Sequence, residues 1–348
     1  MIKELFFIKK TDDPYIRHLF SMACILIVFV IGYLQRELAF ASFGAFGIVT
    51  FNYYKPFPRK YLTKYLFLIG IFMASSNLLG MCASHFRWTA PIAVGVVAFL
   101  GRFFFRLYKI EKPGPYFSVM FVSIGVSSNL DFAKIPLMTL FFMAGVLVAI
   151  IMALILSLFD KRHVISYGQQ VAFKERLIDD PSVIIDSYFY GAILFFAAYL
   201  SFSLKLYNPY WLVISCAAIL QGSNFRDVFS RHIQRIIGTI IGLIIAALML
   251  EVHWNTLDQM FVISILYMIV DFFSKKNYTV LLFFSTPMAL MLSNLVHHQY
   301  VSTLVQYRFI SILLGSLLGL ISAWLITKVI RFYVHNKHFI DHLKKNKL

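Results

Sequence analysis

Two arginines, Arg235 and Arg308, stand at the edges of apolar segments long enough to lie in a membrane, where ionisable side chains are costly. None of the 16 Asp and Glu residues falls in the middle of such a segment, and Asp271 comes deepest. Basic groups without acidic neighbours favour the binding of an anion, with Asp271 as the candidate for a coupled proton. Arg235 equally fits a surface anchor that snorkels, and Asp271 equally fits an interfacial anchor.

Polar side chains follow a short apolar segment that ends near residue 220. Gln221, Ser223 and Asn224 come directly after it and offer hydrogen bonds to a bound anion. The sequence contains no paired carboxylates within an apolar segment, no glycine-rich phosphate loop and no nucleophile beside a base. We therefore expect neither an enzyme nor a cofactor, and no metal site.

Twelve apolar segments that must position these residues can be read along the chain. They cover 18–35, 37–54, 62–85, 88–105, 114–130, 136–159, 187–205, 209–222, 235–252, 256–274, 278–295 and 305–328. A membrane-spanning helix needs about 20 apolar residues, and continuous apolar runs are typical of helices. The sequence predicts an all-α integral membrane protein with about twelve transmembrane helices.

The basic residues alternate between the loops. Only five of the 32 Lys and Arg residues fall in every second loop, and the others flank the chain ends or the remaining loops; the five are Arg36, Arg87, Lys134, Lys205 and Arg308. Because Lys and Arg are retained on the cytoplasmic side, both termini are predicted to be cytoplasmic. The net charge of +16 is spread over short loops, which favours anionic lipid headgroups as partners and argues against nucleic acid.

The two halves of the chain resemble each other at a spacing of about 165 residues. Trp88 and Trp254 open corresponding segments, and Asn129 and Asn294 close another corresponding pair. Six spans per half that enter from the same side predict two parallel repeats. The predicted organisation is a first six-helix repeat at 1–159, a cytoplasmic linker at 160–186, a second repeat at 187–330 and a basic tail at 331–348.

Short segments and small residues point to the same part of the chain. The second and eighth segments are short at corresponding positions, as are the fifth and the eleventh, which Pro287 interrupts. Broken helices in corresponding positions are typical of a transporter's substrate site. The pairs Gly238/Gly242 and Gly315/Gly319 predict close approach of helix backbones.

The second half carries residues that resemble a known family. The run from Pro209 through Tyr210-Trp211 to Gln221, followed by Arg235-Ile-Ile-Gly-Thr-Ile-Ile-Gly242, is similar to the signature of the fusaric acid resistance family of aromatic acid exporter-like membrane proteins. Arg308 with Gly315 and Gly319 resembles that family's second signature. The resemblance is strongest over about 187–330, and the linker is shorter than the cytoplasmic domain of the larger members.

This resemblance implies efflux of aromatic or other organic carboxylates, driven by the proton gradient, across a bacterial inner membrane. Arg235 and Arg308 would attract the carboxylate, and Gln221, Ser223 and Asn224 would donate or accept hydrogen bonds. A passive anion channel or pore, assembled from two or more copies as a homo-oligomer, is the first alternative. A non-transporting membrane scaffold of envelope biogenesis is the second.

Overall fold

The computed structural model describes residues 7–86, 88–165, 173–222, 224–296 and 301–345, with side chains from 305 to 328 in the last helix. All the regular structure in these ranges is helical. The α-helices are α1 (Tyr15–Leu34), α2 (Leu38–Ile48), α3 (Arg59–Ala83), α4 (Thr89–Leu107), α5 (Tyr116–Gly125), α6 (Ile135–Phe159), α7 (Phe173–Asp179), α8 (Ser182–Ser203), α9 (Tyr210–Ile219), α10 (Phe225–Glu251), α11 (Thr256–Phe273), α12 (Tyr278–Val296) and α13 (Val301–Lys345).

Each of the twelve apolar segments contains a helix. Nine helices in the described ranges are long and apolar enough to cross a membrane, and three further apolar helices are shorter. The short ones are α2, which continues into a 3₁₀ turn to Tyr53, α5 and α9. The chain is therefore a multi-pass helical membrane protein. The prediction that the second, fifth and eighth segments are short is confirmed.

The loops rich in Lys and Arg meet at one end of the bundle, here called the basic end. Hydrogen bonds connect these loops to one another. They join Lys9 to Lys276, Ile165 to Pro56, Tyr53 to Gly114 and Gln221 to Pro113. The alternation of basic and nearly uncharged loops thus corresponds to two opposite ends of the folded chain.

Two predicted boundaries were wrong. The eleventh segment is not broken, because α12 continues through Pro287 as one helix of 19 residues. The ninth helix does not begin at Arg235, because α10 starts ten residues earlier at Phe225. Asn224 caps this polar first part with its side chain, which accepts a hydrogen bond from the backbone N–H of Asp227 at 2.9 Å. Arg235 is consequently inside a helix and not at its start.

The helices of the two halves pack in matching pairs. Helix α2 packs against α6, and α9 packs against α13. Helix α3 contacts α5 and α6, and α10 contacts α12 and α13. Helix α5 also contacts α9 of the other half, and the most extensive contacts between the halves are made by α4 with α8 and by α11 with α1. These last two pairs place the cores of the halves side by side.

Glycines allow two of these pairs to approach closely, as predicted. A Cβ atom at Gly315 would overlap the carbonyl oxygen of Leu212 on α9. A Cβ atom at Gly242 would lie 2.6 Å from the carbonyl oxygen of Leu282 on α12. Since both obstacles are backbone atoms, a larger residue requires the helices to move apart. This packing fixes α9 and α12, the helices that carry much of the candidate site.

Candidate functional site

A cavity of about 1530 Å³ lies in the middle of the helix bundle. Its wall includes Lys9, Lys112 and Lys275 from the basic end, and Glu37 and Asn208 from the opposite end. The lining residues therefore extend over the depth of the bundle. Both halves of the chain contribute to the wall.

Arg235 lies on this cavity and is buried, with 4% of its surface exposed. Its Nη1 donates to the hydroxyl of Tyr278 at 2.8 Å, and its Nε donates to the hydroxyl of Ser215 at 3.3 Å. Tyr116 of the first half also interacts electrostatically with its guanidinium. Neutral hydroxyls orient this cation but leave its charge uncompensated.

Arg308 lies on the same cavity and is 5% exposed. Its guanidinium carbon is 3.6 Å from the centre of the Trp211 ring, a close cation–π contact. Its Nε and Nη1 atoms are buried without any hydrogen-bond partner. The face of the guanidinium is thus held, while two of its donors remain available to a bound group.

The two arginines, from α10 and α13, contact the same helix, α9. Trp211, below Arg308, and Ser215, bonded to Arg235, are four residues apart on α9. Four residues correspond to about 6 Å of helix axis. Within the described part of the chain, neither guanidinium has a carboxylate oxygen within 4.0 Å. A buried charge without a counter-charge is strongly unfavourable, so the arrangement suits an anionic ligand.

The first half of the chain supplies an apolar wall to the cavity. This wall contains Phe43 and Phe46 from α2 and Phe117, Met120 and Ile124 from α5. Side chains of this kind take up the apolar body of a small ligand, and a few polar groups fix its orientation. The cavity therefore combines an aromatic wall from the first half with the two buried arginines of the second.

Further basic groups line the cavity nearer the basic end. Arg231, on α10, donates to the carbonyl oxygen of Ala218 at 3.2 Å and lies over the Tyr278 ring. Burial, together with the positive charge of Arg231, lowers the pKa of Lys112 in the loop before α5. An anion that entered the cavity from the basic end would meet a positive potential before it reached Arg235.

Of the three polar residues predicted to bind the anion after α9, Gln221 lies on the cavity and Asn224 caps a helix. Gln221 lines the cavity and donates to the carbonyl oxygen of Pro113 at 3.3 Å. Asn224 caps α10 as described above. Ser223 lies outside the described residues. The structure thus brings Gln221 into the same cavity as Arg235 and Arg308.

Asp271 is buried at the basic end of α11 and touches the cavity wall. Arg17 on α1 donates from Nη2 to its Oδ1 at 3.2 Å, and His18 Nδ1 lies 2.5 Å from its Oδ2. The other ring nitrogen of His18 is buried without a hydrogen-bond partner. Asp271 therefore links α11 to α1, and it sits beside a second group that can carry a proton.

The corresponding interface between α4 and α8 holds ion pairs of opposite arrangement. Arg102 on α4 donates from Nε to Asp186 on α8 at 2.7 Å, and Arg106 Nη1 is 2.9 Å from the same carboxylate. The acid is thus on α8 here, whereas at the α11–α1 interface the acid is on α11. These two interfaces between the halves are both joined by buried or half-buried charge pairs near the basic end.

Several contributors to the site escaped the sequence interpretation. Ser215, Tyr116 and Tyr278 surround Arg235, and Arg17 and His18 contact Asp271. Tyr116 and Tyr278 stand near the starts of two corresponding apolar segments, a signal that the sequence does contain. Ser215 and His18 carry no such signal, because nothing in the residues beside them indicates which helix they contact.

Comparison with known proteins places the similarity in the second half. Residues 193–322 match the model of a family described as fusaric acid resistance protein-like. Over 145 residues the chain is 28% identical to the protein named "Uncharacterized membrane protein YvaC" of Bacillus subtilis (strain 168). That alignment covers 41% of this chain but spans only 23% of the relative. No solved structure matches the chain.

The matched region contains the residues on which the resemblance was based. Both Arg235 and Arg308 fall within it, as do the short helix α9 and the two glycine pairs. The predicted resemblance to the fusaric acid resistance family is therefore confirmed, over residues 193–322 of this membrane protein.

Proposed function

We propose that this protein exports small organic anions such as aromatic carboxylates across a bacterial inner membrane, driven by the proton gradient. One observation carries the proposal: two buried arginines face a central cavity with no carboxylate partner among the described residues. The similarity of residues 193–322 to fusaric acid resistance proteins supports a role in efflux. In this proposal the basic end faces the cytoplasm.

The proposed architecture is two six-helix repeats, α1–α6 and α8–α13, around the cavity. The matching helix pairs of the two halves support this arrangement. Transporters built from parallel repeats hold their substrate between the repeats and rock one repeat against the other. The charge pairs Arg102–Asp186 and Arg17–Asp271 stand at the two interfaces that such rocking would rearrange.

Each site residue has a proposed task. Arg308 binds the carboxylate through its free donors while Trp211 holds its face, and Arg235 provides the second positive charge nearer the basic end. Gln221 hydrogen-bonds the ligand on entry, and Ser223 remains proposed for the same task. Asn224, which caps α10, is not among the proposed contacts. The apolar wall around Phe46 and Phe117 receives the ring.

Asp271 is the proposed carrier of the coupled proton. It lies on the cavity wall beside His18, so its proton can be gained or lost as the α11–α1 interface changes. Replacing the Arg17 contact by a proton would leave the carboxyl neutral and the interface free to open. The coupling then resides in an ion pair between the halves.

A passive anion channel is the second candidate. The cavity is lined by residues from both ends of the bundle, which is what a continuous pore requires. A channel keeps the cationic path but needs no titrating group. The two candidates therefore differ in their response to a pH gradient, and they agree on the importance of Arg308.

Equilibrium binding tests the site directly. Purified full-length protein in detergent micelles is titrated with radiolabelled 4-hydroxybenzoate, beside Arg308→Ala and the surface control Lys205→Gln. We expect saturable binding that Arg308→Ala weakens by about 10- to 100-fold, the value of a lost charge-assisted hydrogen bond. Equal binding by all three proteins would remove Arg308 from the site.

A further inference from the structure

A shallow groove of about 380 Å³ lies between α3 and α6, apart from the central cavity. Its lining consists of Arg59, Lys60 and Thr63 from the start of α3 and Leu154, Ile155 and Leu158 from the end of α6. The groove therefore lies at the basic end, where an apolar helix surface meets the headgroup level of the bilayer.

The polar half of the groove is cationic and lacks acidic neighbours. Arg59 and Lys60 are exposed, and Lys64 follows one turn later on the same helix. The first turn of α3 contains no Asp or Glu. Where side chains are described, neither Arg59 nor Lys60 has a carboxylate oxygen within 4.0 Å. The charge of this half is thus free to meet an external anion.

The apolar half of the groove continues as a stripe along α6. Ile155 and Leu158 are exposed, and so is Ile151 one turn farther from the basic end. These three residues are spaced by four and three positions, so they share one helix face. A hydrocarbon chain that starts at the groove can follow this face into the membrane.

We infer that this groove is a binding site for an anionic glycerophospholipid. The phosphodiester and a charged headgroup would lie against Arg59 and Lys60, and the upper acyl chain would lie along Leu154, Ile155 and Leu158. Basic pockets between transmembrane helices on the cytoplasmic side bind anionic headgroups in this way. A zwitterionic lipid offers the same chains but no net negative charge, so it fits only half of the groove.

Native mass spectrometry of the full-length protein measures the retained lipid. The protein is titrated with dioleoylphosphatidylglycerol or with dioleoylphosphatidylcholine, as wild type, as the double variant Arg59→Gln/Lys60→Gln and as the control Lys161→Gln/Lys174→Gln. The control removes the same number of exposed positive charges from the basic end, outside the groove. Circular dichroism and gel filtration establish that each variant is folded.

The expected result is preferential retention of phosphatidylglycerol by wild type and control. The groove variant should bind this lipid about 30-fold more weakly, which corresponds to about fivefold for each basic side chain near the headgroups. Equal loss in the control, or unchanged binding in the groove variant, would overturn the site. So would equal retention of the two lipids by the wild type.

Photo-crosslinking provides a test that needs no variant. Phosphatidylglycerol with a diazirine in its upper acyl chain is reacted with the wild-type protein, and the labelled peptides are identified. Labelling should concentrate on Leu154–Leu158 and exceed that obtained with the matching phosphatidylcholine probe. Labels spread evenly over the exposed apolar surface would show only general lipid contact and would contradict the inference.

Discussion

The guanidinium of Arg308 stacks on the indole ring of Trp211, with 3.6 Å between the guanidinium carbon and the ring centre. Because the ring holds one face, the planar donors at the edge keep a fixed direction. Nε and Nη1 nevertheless have no partner in the described structure. This combination of a fixed cation and open donors is the feature on which the proposed anion site depends.

Arg308→Lys is expected to impair transport although it conserves the charge. A lysine provides a point charge, cannot form two parallel hydrogen bonds to a carboxylate and stacks less well on Trp211. We expect about a tenfold loss of carboxylate flux in proteoliposomes, with Arg308→Ala losing more. Lys205→Gln, which changes an exposed cation at the same end of the bundle, should retain wild-type flux. Wild-type flux in Arg308→Lys would refute a requirement for the planar guanidinium.

Asp271→Asn and Asp186→Asn form a matched pair of variants. Each removes the acid from an ion pair between the halves, but only Asp271 lies on the cavity beside His18. We expect Asp271→Asn to abolish the response of flux to an imposed pH gradient. Asp186→Asn should retain that response even if the amount of folded protein falls. If Asp271→Asn responds to the gradient as the wild type does, Asp271 is not the proton carrier.

Asp13, in the segment before α1, gives a pH-dependent contribution to stability. Burial alone would raise the pKa of Asp13, but Arg17, Lys275 and Arg162 together lower it to about 2 from 3.8. A carboxyl with a lowered pKa stabilises the fold above its unfolded value and loses this contribution as the pH falls toward the folded value. The contribution is therefore full above about pH 4 and is lost toward pH 2.

Asp13→Asn should accordingly destabilise the protein by about 2 kcal/mol at pH 7. The difference from wild type should shrink as the pH is lowered from 4 toward 2, because the wild-type carboxyl then becomes neutral as well. Thermal unfolding of both proteins in detergent across this pH range measures the difference in stability. Asp12→Asn, at the exposed neighbouring position, is the control and should match wild type. A constant difference at all pH values would contradict the assignment.

Gly315→Ala is expected to destabilise the contact between α9 and α13. The added methyl group would overlap the carbonyl oxygen of Leu212, and a backbone atom cannot move without the whole helix. Overpacking of this kind costs about 1 to 3 kcal/mol. Unfolding in mixed micelles with an increasing fraction of dodecyl sulfate measures the loss in the free energy of unfolding. Leu317→Ala, on an exposed face of the same helix, should have a much smaller effect.

The sequence predicted the positions of the helices better than the contacts between them. Continuous apolar runs located the apolar helices, nine of which, in the described ranges, are long enough to cross a membrane. The distribution of Lys and Arg indicated which loops meet at one end of the bundle. The eleventh segment was misjudged because Pro287 was taken as a break, whereas α12 accommodates it within a continuous helix. The start of α10 was misjudged because six of its first ten residues are polar and the stretch was assigned to a loop.

The contacts of the site residues could not be predicted in the same way. Arg308 and Trp211 are 97 positions apart, and Asp271 meets Arg17 and His18 from the other end of the chain. No local periodicity encodes such contacts, since they depend on how different helices pack against one another. The repeat predicted from the sequence offered a partial signal, because it places the segments of Tyr116 and Tyr278 at corresponding positions.

Flux through sealed proteoliposomes tests the central claim most directly. Vesicles loaded with labelled 4-hydroxybenzoate are compared with and without an imposed pH gradient, for wild type and Arg308→Ala. The account predicts release that follows the pH gradient in the wild type and disappears in a folded Arg308→Ala protein. Release that ignores the pH gradient, or that Arg308→Ala leaves unchanged, would contradict it.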